Sequence, residues 1–179
     1  MVIPKINIVR ATENDAALIA DLSTVTFLET YRGSSPDDDL ITFIDECFNE
    51  NVIAKELKDA DDLYFIAFAD GFPAGYIRLK EEGKEYPLEK KYNAIQLKRI
   101  YVLKEFQSQK VGAALMNYAI HFAAENMYEL LWLGVWEGNE KALLFYNKWG
   151  FEDPQLEYKF IFGNTTHTDR WLFKFIGQH

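Results

Sequence analysis

The spacing of apolar positions changes several times along the chain, and each change marks an element. Ile6, Ile8 and Val9 open on a strand. Thr12, followed three residues later by Asp15, signs a helix start. Leu18, Leu22, Val25 and Leu28 then recur near a 3.6 period until Gly33. Ser35, Pro36 and the aspartates Asp37, Asp38 and Asp39 mark a second helix start, with Leu40, Phe43, Ile44 and Phe48 as its apolar positions. A short helix around Val52 to Leu57 follows. Leu63 to Ala69 and Ala74 to Lys80 read as a hairpin joined at Asp70-Gly71. Residues 81–93 are charged, contain Gly83 and Pro87, and are predicted to loop.

In the second half Ile95, Leu97, Ile100 and Val102 belong to one strand. A helix follows, with Val111, Ala114, Leu115, Tyr118, Ala119 and Phe122 on one face. Leu130 to Val135 is a strand, and Asn139 to Trp149 a helix stopped by Gly150. Leu156 to Phe162 and Arg170 to Ile176 form a terminal strand pair around Gly163-Asn164. A strand–helix–strand–helix unit set among hairpins predicts an α/β chain, a mixed sheet with helices on its faces. No internal repeat, low-complexity segment or linker interrupts it, so residues 1–179 are expected to form one domain.

Composition narrows the functional classes. With 179 residues, 49% of them hydrophobic and 16% aromatic, the chain can bury a core without disulfide or metal staples, and whole-chain disorder is excluded. A net charge of −9 argues against nucleic acid or an anionic membrane as partner. The charge is uneven: residues 1–90 hold nineteen acids against nine Lys and Arg, whereas residues 91–179 hold nine against ten. Asp37 to Asp39 fit helix capping, and Asp59, Asp61 and Asp62 a solvated loop. Cys47 is the only cysteine, which fits a reducing compartment, and its acidic neighbours Asp45 and Glu46 argue against an activated thiol. The start of the chain has no apolar core of a leader, and runs such as Leu130 to Trp136 are too short to span a bilayer. A soluble cytoplasmic protein is expected. His121, His167 and His179 have no metal-ligand spacing, so no metal is expected.

The chemistry-bearing stretch runs from Leu97 to Leu115: a strand ends, the chain turns, and a helix begins among the small residues Gly112, Ala113 and Ala114. Unpaired amides at a helix start, with the helix dipole behind them, suit a pyrophosphate. Neither the P-loop core nor the G-x-G-x-x-G fingerprint is present. A plain strand–turn–helix with one glycine at a packing point fits this segment equally well.

The next stretch separates the two readings. The strand ending in Arg99-Ile100-Tyr101-Val102, the loop Gln107-Ser108-Gln109-Lys110-Val111-Gly112, and Asn139…Ala142…Phe145-Tyr146…Gly150-Phe151 stand in order. Together they resemble the GNAT superfamily of acetyl-coenzyme A-dependent N-acetyltransferases over roughly residues 95–152. Phe27-x-Glu29-Thr30-Tyr31, the run Leu133 to Asn139, and the ending Phe160-Ile161-Phe162-Gly163…Thr168-Asp169 are similar to the PaiA-type spermidine/spermine acetyltransferases. The resemblance implies a GNAT-like fold, a mixed, mostly antiparallel twisted sheet of about seven strands with helices on both faces. It implies acetyl-CoA as donor substrate and a small cationic amine, spermidine or spermine, as acceptor. A protein N-terminus or lysine as acceptor, and a non-catalytic acetyl-CoA-binding regulator, are the rival readings. A homodimer stays open.

The resemblance also assigns residues. Backbone groups of Ile100, Tyr101 and Val102 would pair with the pantetheine arm, and the Val102 N–H would polarise the thioester carbonyl. Amides from Gln107 through Ser108, Gln109, Lys110, Val111 and Gly112 to Ala113 would hold the pyrophosphate. Lys110 departs from the family, which has its first loop glycine there; a lysine suits an anionic ligand. Asn139, Tyr146 and Lys148 would touch the donor, with Tyr146 as the acid that protonates the departing thiolate. An alkylamine with a pKa of about 10 must lose a proton before it attacks. Some polyamine acetyltransferases carry a glutamate on the strand before the loop; Leu97, Lys98 and Arg99 stand there instead, which leaves Glu29, Glu137 or a water chain as the base. His167 and Asp169 fall in the predicted last turn, where they could touch substrate, although ordinary turn chemistry explains both.

Overall fold

The computed structural model describes residues 4–81, 89–162 and 165–177. Seven strands, β1 (Ile6–Arg10), β2 (Asp62–Ala69), β3 (Phe72–Lys80), β4 (Ala94–Val102), β5 (Leu130–Trp136), β6 (Glu157–Phe162) and β7 (Thr165–Phe175), form one sheet in the order β1-β2-β3-β4-β5-β7-β6. Every neighbouring pair is antiparallel except β4 with β5. The helices are α1 (Ala16–Tyr31), α2 (Asp37–Cys47), α3 (Glu50–Lys58), α4 (Val111–Glu125) and α5 (Glu140–Lys148). None among the described residues is long and apolar enough to cross a membrane. The expected mixed, mostly antiparallel sheet of seven strands is therefore present.

Two apolar layers sandwich it. Ile95, Leu97, Val111, Leu115, Leu131, Leu133 and Tyr146 belong to a core on the side of α4 and α5. Ile19, Leu22, Ile53, Tyr64, Ile66 and Tyr76 form the core on the side of α1 and α3. Alternation along each strand supplies both layers at once, which is why the central strands read as unbroken apolar runs.

Three expectations shift. Thr12 caps a single 3-10 turn, Glu13–Asp15, and α1 starts only at Ala16. The buried face of α1 runs through Ile19, Leu22, Ser23, Thr26 and Phe27, while Val25 is exposed. Polar burial hid that face from the apolar count: Ser23 Oγ donates to the Tyr76 hydroxyl at 2.8 Å, and Thr26 Oγ1 to the Leu22 carbonyl at 2.6 Å. β7 begins at Thr165, five residues before the predicted start, because the polar run Thr165 to Arg170 pairs with β6 throughout and with β5 from Asp169 onward. His167 and Asp169 consequently stand on a strand. Most of the predicted loop at 81–93, and the predicted turn at Gly163-Asn164, lie outside the described residues.

Candidate active site

β4 and β5 pair only at Ala94/Leu130, Ile95/Leu131 and Gln96/Trp132. Beyond that point β4 stays with β3 as far as Val102/Gly75, and β5 stays with β7 as far as Trp136/Asp169. The sheet therefore opens as a wedge between its central strands. A bulge in β4 starts the divergence: Arg99 pairs with Arg78 and Leu97 with Leu79, so Lys98 is the extra residue. The bulge also lets Ile95, Leu97, Ile100 and Val102 all meet the same core.

The edge of β4 that faces the wedge carries unspent backbone groups. The Leu103 N–H donates to the Ala74 carbonyl at 2.9 Å, so antiparallel alternation turns Tyr101 toward β3 and the amides of Ile100 and Val102 into the wedge. The Tyr101 backbone is thus spent on β3, and its side chain joins the α1-side core instead. β3 makes room through Gly75, where a Cβ would come within 2.4 Å of the Tyr101 carbonyl oxygen. The Val102 carbonyl accepts from Gln107 Nε2 at 3.2 Å, and Lys141 Nζ donates to Gln107 Oε1. Gln107 thereby ties the end of β4 to α5.

At the mouth of the wedge α4 begins. Its first intrahelical bond runs from the Ala114 N–H to the Lys110 carbonyl, which leaves the amides of Val111, Gly112 and Ala113 directed out of the helix end. The amides of Gln107 and Gln109 are engaged by Lys104 and Phe106 carbonyls, so the predicted run of donors from Gln107 to Ala113 is interrupted. Lys110 has φ 66° and Ser108 φ 68°, both left-handed. That geometry is the physical reason a glycine suits position 110. A Cβ on Gly112 would make ordinary van der Waals contact, 3.7 Å from Val102 and 4.0 Å from Phe145, so the start of α4 packs between β4 and α5.

α5 is positioned by Asn139, whose Oδ1 accepts from the Ala142 N–H at 3.1 Å. Tyr146 on its inner face is only 8% exposed, flanked by Phe145 and Phe151. Burial, and then the charge of a neighbouring Tyr31 phenolate, push its phenol up, so it stays protonated at neutral pH. Lys148 sits exposed in the last turn of α5. Glu29, at the end of α1, accepts at Oε2 from the Lys104 N–H at 2.9 Å. Glu137 is exposed after β5, and its own N–H donates to the Thr168 carbonyl. Burial pushes the Cys47 thiol up ahead of its acidic neighbour Glu46.

The α1 side of the wedge holds a group that linear reading dispersed. Tyr31 packs against Trp136 with centroids 5.9 Å apart, and Trp136 meets His167 edge-on at 5.8 Å. His167 Nε2 stands 3.3 Å from Ser35 Oγ. Asp169 lies beside Gly134, where a Cβ would meet its Oδ2 at 3.3 Å. Burial raises the Asp169 carboxyl to about 6, against a smaller lowering by Lys98. Only the register of β7, hidden by its polar run, would have brought Asp169 forward. Among the described residues no cluster of His, Cys, Asp and Glu could hold a metal.

Residues 23–151 match the family model described as Acetyltransferase (GNAT) family. The chain is 30% identical over 169 residues to an uncharacterized N-acetyltransferase in the pepI 3′ region of Lactobacillus delbrueckii subsp. lactis, covering 94% of this chain and 96% of that protein. It superposes with TM-score 0.79 on the PaiA N-acetyltransferase of Thermoplasma acidophilum in complex with coenzyme A, at 22% identity, covering 96% of this chain and 99% of that one. The ribosomal-protein-S18-alanine N-acetyltransferase of Escherichia coli superposes with TM-score 0.71 at 16% identity, covering 98% and 96%.

Proposed function

The chain belongs to the acetyltransferase (GNAT) family and is an acetyl-coenzyme A-dependent N-acetyltransferase; from that premise we propose that its acceptor is a small cationic amine of the spermidine and spermine class. The observation that carries this reading is the wedge, with amides on one wall and an acid beside aromatic rings on the other. The bare amides of Val111, Gly112 and Ala113 suit the donor's pyrophosphate. The aromatic faces of Tyr31 and Trp136, with Asp169 beside them, suit an ammonium.

The donor supplies an activated acetyl thioester, and the chain's own groups do the rest. The wedge-facing amides of Ile100 and Val102 offer a strand edge to the pantetheine arm, and the Val102 N–H is free to polarise the thioester carbonyl. Gln107 holds the Val102 carbonyl and so keeps this edge in place. Asn139 sets the start of α5, and Tyr146 on that helix protonates the leaving sulfur. Lys110 adds a cation beside the phosphates, and Lys148 a second from the end of α5. The excess of acids in residues 1–90 draws cations toward the helices that border the acceptor side.

Incubation with acetyl-CoA and a panel of spermidine, spermine, monoamines and peptides with free N-termini tests the acceptor, reading thiol release and product mass. Turnover of polyamines that falls with rising salt more steeply than donor affinity is the expected result. Acetylation of the peptides alone would replace this reading with a protein acceptor.

A further inference from the structure

The reading above leaves one step without a residue: removal of the acceptor's ammonium proton. Glu29 directs a carboxylate oxygen to the Lys104 amide, and Glu137 stands in solvent beyond the end of β5. The geometry points to Asp169 as the general base that takes this proton, with Tyr31 holding the acceptor nitrogen between Asp169 and Tyr146.

Three placements argue for it. Asp169 sits at the far end of the β5–β7 ladder, opposite Trp136, where β5 has already left β4. Its carboxylate lies against Gly134, an exposed glycine within β5 that has no side chain to cover the acid. Tyr31 packs at 5.9 Å on Trp136, the residue opposite Asp169 in the ladder, and its ionisation would push the Tyr146 phenol further up. The donor and acceptor sides of the wedge thus meet at one phenol, which itself hydrogen-bonds to Tyr101.

The surroundings of Asp169 suit a base. Lys98 faces it from the β4 bulge and Tyr31 from α1; β5 presents the uncharged Gly134 and Trp136. On β7 itself His167 is two residues away, and Tyr158 pairs with it from β6. Partial burial leaves the carboxylate ionised above about pH 6 and more basic than an ordinary aspartate. The extra residue Lys98 brings a cation to the same side of the wedge, which disfavours a second positive charge on the acceptor nitrogen.

The proton balance closes. Asp169 takes one proton from the ammonium and passes it to solvent. The freed lone pair forms the C–N bond as the C–S bond breaks. The second nitrogen proton leaves as the amide forms and replaces the proton that Tyr146 gives to the thiolate. One ammonium and one thioester yield one amide, one thiol and one released proton.

This inference rests on the amine-acceptor reading, and Asp169→Asn tests it with spermidine as probe. In the parent, kcat/KM should rise between pH 5 and 7 with a midpoint near 6 and then level. The variant should lose at least about 100-fold at pH 7. Its remaining activity should climb about tenfold per pH unit toward the amine's own pKa of about 10, because only free amine then reacts. Asp169→Glu should restore the levelled profile, and acetyl-CoA binding by calorimetry should be unchanged in both variants. A variant that keeps the parental pH profile overturns the proposal. If the parent binds acetyl-CoA but turns over no amine, the acceptor reading fails on its own. Asp169 is then judged by 13C titration of its carboxyl in the coenzyme A complex: a value near 6 upholds it as a base, and an ordinary value near 4 overturns it.

Discussion

Asp62 on β2 and Asp169 on β7 are both carried on the α1 side of the sheet, and the protein surrounds them differently. The Asp62 side chain is 1% exposed, and Arg78 grips it with two hydrogen bonds of 2.6 Å, through Nε and Nη2. Arg78 also reaches Glu56 at 2.8 Å, while Arg99 donates to the Tyr64 hydroxyl and lies near Glu56. Lys80 stands 3.5 Å from Asp62 on the remaining side. Every charge there is answered, and the guanidinium of Arg78 is held above its usual range by its hydrogen bonds to Asp62 and the nearby Tyr64 and Glu56 charges, against burial. Asp169 has no such grip among the described residues: burial raises it, and the charge of Lys98 lowers it less. A carboxylate that closes an ion network is costly to strand, and one left beside an open wedge keeps its proton chemistry. The same sheet is therefore sealed between β2 and β4 and reactive between β4 and β5.

Breaking the sealed region should give the largest effect. Arg78→Met strands the buried Asp62 carboxylate and should lower unfolding free energy by about 3–5 kcal/mol, read by urea denaturation at neutral pH. The donor affinity of whatever remains folded should be parental, because Arg78 and Asp62 stand on β3 and β2, on the far side of β4 from the wedge. On the reactive side, Tyr146→Phe keeps the ring packed among Phe145 and Phe151 and removes only the proton. Its kcat should fall about 100-fold, with acetyl-CoA affinity within a factor of two or so of the parent. A parental kcat would remove Tyr146 as the acid.

Asp169→Asn sharpens the contrast through stability. The folded carboxyl is raised from 3.8 to about 6, so ionisation opposes folding. Below about pH 4 the group is protonated in both states and contributes nothing. The penalty grows as pH passes through 4 to 6 and is complete above that range. The variant should thus be more stable than the parent by about 1–3 kcal/mol at pH 8, and equal to it near pH 3 to 4. Gain here against loss at Arg78→Met is the comparison in one pair of melts. The smallest effect belongs to Lys110→Gly. Glycine relieves the left-handed backbone and should add about 1 kcal/mol of stability. It also removes a cation from the loop, so the donor Kd should weaken about two- to fivefold at low salt and less at high salt. An unchanged Kd would show that the backbone amides alone hold the phosphates.

Much was legible in the chain because it depended on neighbours a few residues apart. The helix start at Val111, the cap at Asn139 and the stop at Gly150 are local events. The bulge was not read, although Ile95, Leu97, Ile100 and Val102 are spaced by two, three and two, which a regular strand cannot satisfy with one face. The buried face of α1 was not legible, because Ser23 and Thr26 look like surface residues until Tyr76 and the Leu22 carbonyl are there to receive them. Nor was the place of Asp169, since a polar run from Thr165 to Arg170 carries no apolar alternation to declare a strand.

By itself, then, the sequence determined the order of elements, the loop of small residues at the start of α4 and the family to which the chain belongs. Each of these is written in short-range spacing. The tertiary structure alone decided which backbone amides face the wedge, which acids are neutralised, and which acid stands free beside it. Those depend on strand register and burial, where residues more than a hundred positions apart, such as Tyr31 and Trp136, become neighbours.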